Sequence, residues 1–439
     1  MENFYLIDSK EGGPSLVYHT NGQKFYLHSI YNPQREAKTF VTARQKEIEA
    51  AKLIIIYGLG LGYHLCEIAK LIGPGQEVYV LETNQKILKY SRAVVNFTKF
   101  EEIGFNFLLT DNCQEISHSI YSLLGQYHYS DISFIVHRPS LKIMPGECSF
   151  LKELIEDWEI KRDSIQRFSR LMLDNFQSNL KLREKFNFLE ISQKHQENFP
   201  VVMIASGPSL DRNKHLLEKF KGKALTIAVG SALKSLLLAG FIPDCIVITD
   251  PQPGVSRQIE GLERKIPLLC LLTISPEIIS NYNGPIFAIL QNGFGPAEEL
   301  ADKLGLPLVD TGGSVITTAL DIVLRLGGNP VIFTGLDLAY TKGRVHARGT
   351  SHEDDLPNSR SRLVKDIRGG LVKTGKNLCI YKRWIEGKIR ENPSLNFIDA
   401  TEGGAFVAGT RVKKLRDVIN QLEERKDLLN KVRGINQDK

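Results

Sequence analysis

The sequence predicts an α/β chain: two Rossmann-like open parallel-sheet domains joined by a helical connector, with a small N-terminal β appendage and a C-terminal helix. Three observations predict it. Unbroken apolar runs at residues 53–57, 201–205 and 330–334 have the length and β-branched content of buried strands. Each run stops abruptly in glycine and small or acidic residues: Gly58-Leu-Gly60-Leu-Gly62, Ser206-Gly207-Pro208-Ser209, and Gly335-Leu-Asp337. Stretches of helical spacing separate the runs, and strands alternating with helices build parallel sheets whose ligand crevice opens at the strands' carboxyl ends.

Residues 1–50 make the appendage. β-type runs flank Asn21-Gly22, a dipeptide suited to the positive φ angles of a two-residue hairpin turn. From Asn32-Pro33 a polar amphipathic helix follows. Residues 51–148 read as the first Rossmann-like domain. Its Gly58-x-Gly60-x-Gly62 turn, with Glu82 ending the next strand, resembles the adenosyl-methionine site of Rossmann methyltransferases, where the carboxylate holds ribose hydroxyls. Gly58, Gly60, Gly62 and Glu82 are therefore candidate nucleotide contacts. Asp111 falls where an acidic residue at the adenine edge is expected, but no methyl-transfer motif follows the strand at 133–136. A nucleotide-binding shape without catalysis is the preferred reading.

Residues 149–198 form the connector. Leu151, Leu154, Ile155, Trp158, Ile165, Phe168 and Leu171 recur at helical spacing, a stripe that serves packing. The second Rossmann-like domain runs over 199–410, and a charged helix over about 412–432, within residues 411–439, closes the chain.

Composition narrows the classes of function. With 439 residues, 42% hydrophobic and 24% charged, the chain is globular and long enough for two or three cores. Its net charge of +6 is spread along the chain, which argues against a nucleic-acid partner. Cys66, Cys113, Cys148, Cys245, Cys270 and Cys379 show no metal-ligand spacing and are expected as reduced thiols. The start, Met1-Glu2-Asn3-Phe4-Tyr5, lacks the parts of a signal peptide, and no apolar run approaches the roughly 18–20 residues of a membrane span. A cytoplasmic protein is expected.

In the second domain the strand ends hold the polar groups. The turn Ser206-Gly207-Pro208-Ser209, with Asp211 as a cap, presents backbone amides toward an anion. Further strands end at Gly230-Ser231, Asp250-Pro251 and Gln291-Asn292-Gly293. In Gly312-Gly313-Ser314, two glycines open an apolar helix and Thr317 adds a hydroxyl nearby, a second anion cradle. After Gly335-Leu-Asp337-Leu-Ala-Tyr340, residues 342–348 form a polar loop containing Lys342, Arg344 and His346. Loops after strands commonly carry reactive groups.

Four stretches in this order closely resemble the motility accessory factor family: Ser206-Gly-Pro-Ser-Leu210, Ile242-Pro-Asp-x-x-Val-x-x-Asp250-Pro, Gly312-Gly-Ser-Val-x-Thr-Thr-Ala-Leu-Asp321, and Gly335-Leu-Asp-Leu-Ala-Tyr-x-x-Gly-x-x-His346. The resemblance covers roughly residues 150–410. It implies a glycosyltransferase that moves a nonulosonic acid (pseudaminic or legionaminic) from its CMP-activated form to serine or threonine hydroxyls of flagellin, in support of motility. The family is similar to small bacterial sialyltransferases. That similarity implies Gly207, Pro208 and Ser209 along the CMP phosphate and Ser231 and Asp250 toward the ribose or base. It places Gly312, Gly313 and Ser314 on the phosphate and sugar carboxylate, with Asn292 and Thr317 in the same binding set. Tyr340 would steady the departing phosphate, Asp337 stands with the catalytic group, and His346 or His352 is the general base. No metal is required, and the partners implied are the nucleotide-sugar donor and flagellin, in a chain compatible with a homo-oligomer.

Two alternatives stay open. The same domain is similar to archaeal pterin diphosphokinases, which implies ATP with Mg²⁺ held by Asp250, Asp310 and Asp337. The other is a non-catalytic flagellar assembly or binding factor, since the Gly58-Gly60-Gly62 domain shows no catalytic partner.

Overall fold

The computed structural model describes residues 3–124, 126–127, 131–189, 198–350 and 361–425. The chain divides into two compact units, Met1–Arg162 and Asp163–Lys439. The connector is realised as one long helix, Ser149–Leu180, which passes through the division.

In the first unit, β1 (Asn3–Asp8), β2 (Pro14–Thr20) and β3 (Gln23–Tyr26) form an antiparallel sheet in the order β1-β2-β3. Asn21 and Gly22 take φ of 48° and 76°, the mirror-image turn that matches strand twist. The parallel sheet has the order β6-β5-β4-β7, built from β4 (Leu53–Tyr57), β5 (Glu77–Glu82), β6 (Phe105–Leu109) and β7 (Ile132–Val136). Every residue of β4 is buried, which is why it reads as an unbroken apolar run and not as an alternation.

The second unit is organised on a ten-stranded sheet. Its members in chain order are β8 (Asn187–Phe188), β9 (Phe199–Ile204), β10 (Leu225–Val229), β11 (Cys245–Ile248), β12 (Leu268–Leu271), β13 (Ile286–Gln291), β14 (Leu308–Val309) and β15 (Gly328–Thr334). An antiparallel hairpin, β16 (Arg362–Lys365) with β17 (Leu371–Thr374), interrupts the series before β18 (Phe397–Asp399) and β19 (Arg411–Val412). The spatial order is β14-β13-β12-β11-β10-β9-β15-β18-β19, with β8 also on β13, and all these pairs are parallel.

The chain thus steps from β9 outward to β14 and then returns to the other side of β9 as β15. The order reverses between β9 and β15, and crossovers leaving in opposite directions open a crevice there. All six residues of β9 are buried. Burying a Val- or Ile-sized side chain contributes about 1.5–3 kcal/mol, so this central strand is held firmly beneath the crevice.

Two expectations are corrected. Cys113 and Cys148 pair as a disulfide with Cα atoms 5.5 Å apart, leaving Cys66, Cys245, Cys270 and Cys379 as free thiols. Partners 35 positions apart carry no spacing signal, so only the fold reveals them. The C-terminal helix is short: within the described residues it spans Leu415–Gln421, and residues 411–412 are instead the edge strand β19. No helix among the described residues is long and apolar enough to cross a membrane.

Candidate functional site

The turn after β4 is filled by the protein itself. Gly58, Gly60 and Gly62 take φ of 99°, 49° and 83°, which requires glycine. A Cβ on Gly60 would lie 2.6 Å from His28 Nε2, and one on Gly58 would lie 2.6 Å from the Ser140 side chain. The turn's amides are also committed: Leu59 N–H donates to Glu82 Oε2 at 2.9 Å and Leu61 N–H to His28 Nε2 at 2.7 Å. Glu82 is 2% exposed and accepts from Asn84 N–H with its other oxygen, so burial pushes its carboxyl up to about 7. His137 stacks between His28 and His64, with ring centroids 5.0 and 4.9 Å away. Burial holds His28 down at about 3 and His64 at about 4. Gly58, Gly60, Gly62 and Glu82 therefore form a closed packing unit, with the space a cofactor phosphate would need taken by imidazole.

At the β9/β15 reversal two predicted motifs meet. Asp337 Oδ1 accepts from Ser209 N–H at 3.1 Å and from the Ser209 hydroxyl at 2.6 Å, while its other oxygen accepts from Thr341 Oγ1 at 2.5 Å. Gly207 N–H donates to Gly335 O at 2.8 Å, and a Cβ on Gly207 would collide with Asp337 Oδ1. The glycine is needed because the second turn lies against the first. Asp337 is 2% exposed and burial raises its pKa, with the Ser209 and Thr341 hydrogen bonds opposing. Ser209 and Asp337, expected at the phosphate and in catalysis, are instead a clamp between two turns. Pro208 is buried behind them.

The residue before Gly207 meets the loop after β15. Ser206 Oγ lies 3.2 Å from His346 Nδ1 and accepts from Ser231 Oγ at 2.9 Å. Ala347 N–H donates to Ser206 O at 2.8 Å, tying the His346 loop to the strand end. Arg344 pairs with Asp211 at 2.8 Å, whereas Lys342 is exposed. Tyr340 is buried, and a Cβ on Gly375 would lie 2.5 Å from its hydroxyl, so that hydroxyl points to the junction after β17. His352 lies outside the described residues.

The Gly312-Gly313-Ser314 turn is roofed by the helix Lys376–Glu391. A Cβ on Gly312 would lie 2.5 Å from Trp384 Cγ, and one on Gly313 would lie 3.3 Å from the Tyr381 ring. Gly313 has φ of 88° and is exposed. Ser314 and Thr317 form a capping box that opens the helix Val315–Arg325, and Thr317 Oγ1 also receives Gly312 N–H at 3.1 Å. Ser314 N–H also goes to Thr317 Oγ1 at 3.2 Å and Thr317 N–H to Ser314 O at 3.2 Å, so what this end keeps for an anion is its dipole and the amides at 313, 315 and 316. Burial raises the Tyr381 phenol, with a hydrogen bond to Asn377 opposing and the charge of Asp250 adding to the rise. Asp250, after β11, is half-buried and accepts from Gln252 N–H at 2.9 Å.

Asn292 is exposed and donates to Asp310 Oδ1 at 3.2 Å, while Lys388 Nζ binds Asp310 Oδ2 at 2.7 Å. Burial alone would raise the Asp310 carboxyl, but Lys388 outweighs it and holds the pKa below the ordinary value. A shared Mg²⁺ on Asp250, Asp310 and Asp337 does not fit this arrangement, because Asp310 is neutralised by Lys388 and Asp337 is enclosed by its clamp. Among the described residues no group of three metal-ligating side chains converges.

Sequence reasoning missed Ser206 as a contact and missed Tyr381, Trp384 and Lys388. Their spacing of three and four residues puts all three on one helix face, a signal present in the sequence but indistinguishable from a packing stripe.

Comparison with known proteins places this geometry. Residues 170–343 match the family described as 6-hydroxymethylpterin diphosphokinase MptE-like. An uncharacterised protein of Treponema pallidum (strain Nichols) is 23% identical over 420 residues, covering 88% of this chain and 72% of that one. The MAf glycosyltransferase structure from Magnetospirillum magneticum AMB-1 aligns with 98% of this chain and 74% of its own, at 16% identity and a TM-score of 0.56. Residues 170–343 are accordingly similar to MptE-like domains, and the likeness to the MAf glycosyltransferase structure is one of fold.

Proposed function

We propose that the crevice at the β9/β15 reversal transfers a nonulosonic acid (pseudaminic or legionaminic) from its CMP-activated form to a serine or threonine hydroxyl of flagellin. The observation that carries this reading is the closure of the His346 loop onto Ser206 and Ser231 at the strand ends. It sets a candidate base at the carboxyl ends of β9 and β10, the same edge of the parallel sheet at which Asp250 follows β11 and the Gly312 turn follows β14. Glycosyl transfer from the MAf relative supports the reaction class.

In the reaction the acceptor oxygen bonds to the anomeric carbon as the bond from that carbon to the CMP phosphate breaks. The electron pair leaves on the phosphate. The amides opening the Val315–Arg325 helix favour that charge, and Asp250 with Tyr381 offers a carboxylate and a ring face to ribose and base. The acceptor proton ends on the His346 imidazole, which acts as the general base.

The test is to incubate the protein with CMP-pseudaminic or CMP-legionaminic acid and flagellin and to weigh the flagellin intact. Addition of one or more sugar masses, abolished by His346→Gln, is expected; unchanged mass with either donor would refute the proposal. The MptE-like match favours a second reading, ATP-dependent diphosphate transfer to a pterin-like alcohol. Stabilisation by ATP with Mg²⁺ and none by CMP, in a thermal shift, would favour it.

A further inference from the structure

We infer that Ser206 and Ser231 form a hydroxyl relay that fixes the proton-accepting nitrogen of His346 as Nδ1. Ser231 Oγ donates to Ser206 Oγ at 2.9 Å, which leaves Ser206 its own proton to donate and a second lone pair to accept with. A hydroxyl has one proton to give, and His346 Nδ1 stands 3.2 Å away. The chain Ser231 O–H to Ser206 O–H to His346 Nδ1 uses each donor once and ends on an imidazole lone pair. A neutral imidazole that accepts at Nδ1 carries its hydrogen on Nε2. Hydrogen bonds in such a head-to-tail series polarise one another, which strengthens the last of them.

Burial and backbone tethers keep the series in place. Ser206 is 8% exposed, and its carbonyl receives Ala347 N–H at 2.8 Å, so the residue after His346 is pinned to the residue that addresses its ring. Ser231 lies at the head of the helix Gly230–Leu238, where a Cβ on Gly230 would meet Gln258 Oε1 and the Ile248 side chain. Ser206 thus both orients the His346 ring and stands ready to hand it a proton.

The role rests on the glycosyl-transfer reading only for the use made of the proton. There, the acceptor hydroxyl passes its proton to Ser206 Oγ while Ser206 passes its own to His346 Nδ1. The acceptor oxygen forms its new bond to the anomeric carbon, and the imidazolium holds the proton until solvent removes it.

The test reads the ring directly. Ring nitrogen-15 spectra of the full chain, with His346 assigned by loss of its signals in His346→Gln, should show hydrogen on Nε2 in the wild type. In Ser206→Ala that preference should be lost, and in Ser206→Thr it should be retained. Ser231→Ala, which keeps the Ser206 hydroxyl, should weaken it partially and serves if Ser206→Ala does not fold. Hydrogen on Nδ1 in the wild type, or an unchanged ring in both alanine variants, would overturn the relay. If transfer is observed, Ser206→Ala should lower kcat at least tenfold with little change in KM, with Ser206→Thr recovering most of it. The spectra need no sugar, so a wild type without transfer would count against the proposed reaction and leave the relay judged by its ring signals.

Discussion

The turns after β4 and β9 each end a buried apolar strand at a glycine and have different fates. After β4, the amides of Leu59 and Leu61 are taken by Glu82 and His28, and three stacked imidazoles occupy the place of a ligand. After β9, the Gly207 turn is also locked from within, by Asp337, but the locking leaves Ser206, Ser231 and His346 facing one another. A glycine at a strand end reports that backbone and neighbour come close. Whether a ligand shares that closeness depends on who uses the donors.

The largest effect that sharpens this contrast is expected from Asp337→Ala. It leaves the Ser209 amide, the Ser209 hydroxyl and the Thr341 hydroxyl without their acceptor in a buried place, a loss of about 3 kcal/mol read by urea denaturation. Asp337→Asn keeps an acceptor and should cost far less; equal losses would show the carboxylate charge, not the clamp, to be what matters. Next, Gly60→Ala adds a Cβ 2.6 Å from His28 Nε2 at φ of 49°, and should destabilise the first unit by about 2 kcal/mol without altering CMP affinity. A change in affinity would reopen the first turn as a ligand site. Tyr381→Ala should weaken CMP binding about tenfold, or about 1.4 kcal/mol, by calorimetric titration.

The smallest effect is in pH. His28 and His64 titrate at about 3 and about 4 when folded, against 6.5 when not, so their contribution is complete above 6.5 and is lost as pH falls toward about 4. Glu82, raised from 4.5 to about 7, acts the other way: its contribution is complete below 4.5 and lost as pH rises through about 7. The histidines outnumber it, so the first unit should loosen in mild acid. Asp399 in the second unit, raised by burial from 3.8 to about 6, contributes most in acid and loses that as pH rises. Hydrogen exchange of β4 should therefore quicken relative to β9 between about pH 6.5 and about pH 5; the reverse would mean the imidazoles charge without cost.

Much of the fold was legible because parallel strands buried on both faces leave continuous apolar runs, as in β4 and β9. The Asn21-Gly22 hairpin was legible for the same reason, a local rule with a local cause. The site was legible only in part. Ser206, Ser231, Asp250, Gly313 and His346 were named or quoted from the ends of strands that are parallel in one sheet, and Ser206, Ser231 and His346 meet there, whereas Tyr381 comes from a helix whose covering role depends on tertiary packing. Asp337 and Ser209 were expected in catalysis and at the phosphate and are found bonded to each other, because a carboxylate that clamps and one that faces substrate have the same sequence. His28 and His137 gave no signal, because 109 positions separate rings that stack.

Hydrogen exchange of the full chain with and without saturating CMP tests the contrast most directly. Slowed exchange is expected in peptides holding Ser206, Ser231, Asp250, residues 313–316 and Tyr381, with residues 58–64 unchanged. Protection confined to residues 58–64 would contradict it.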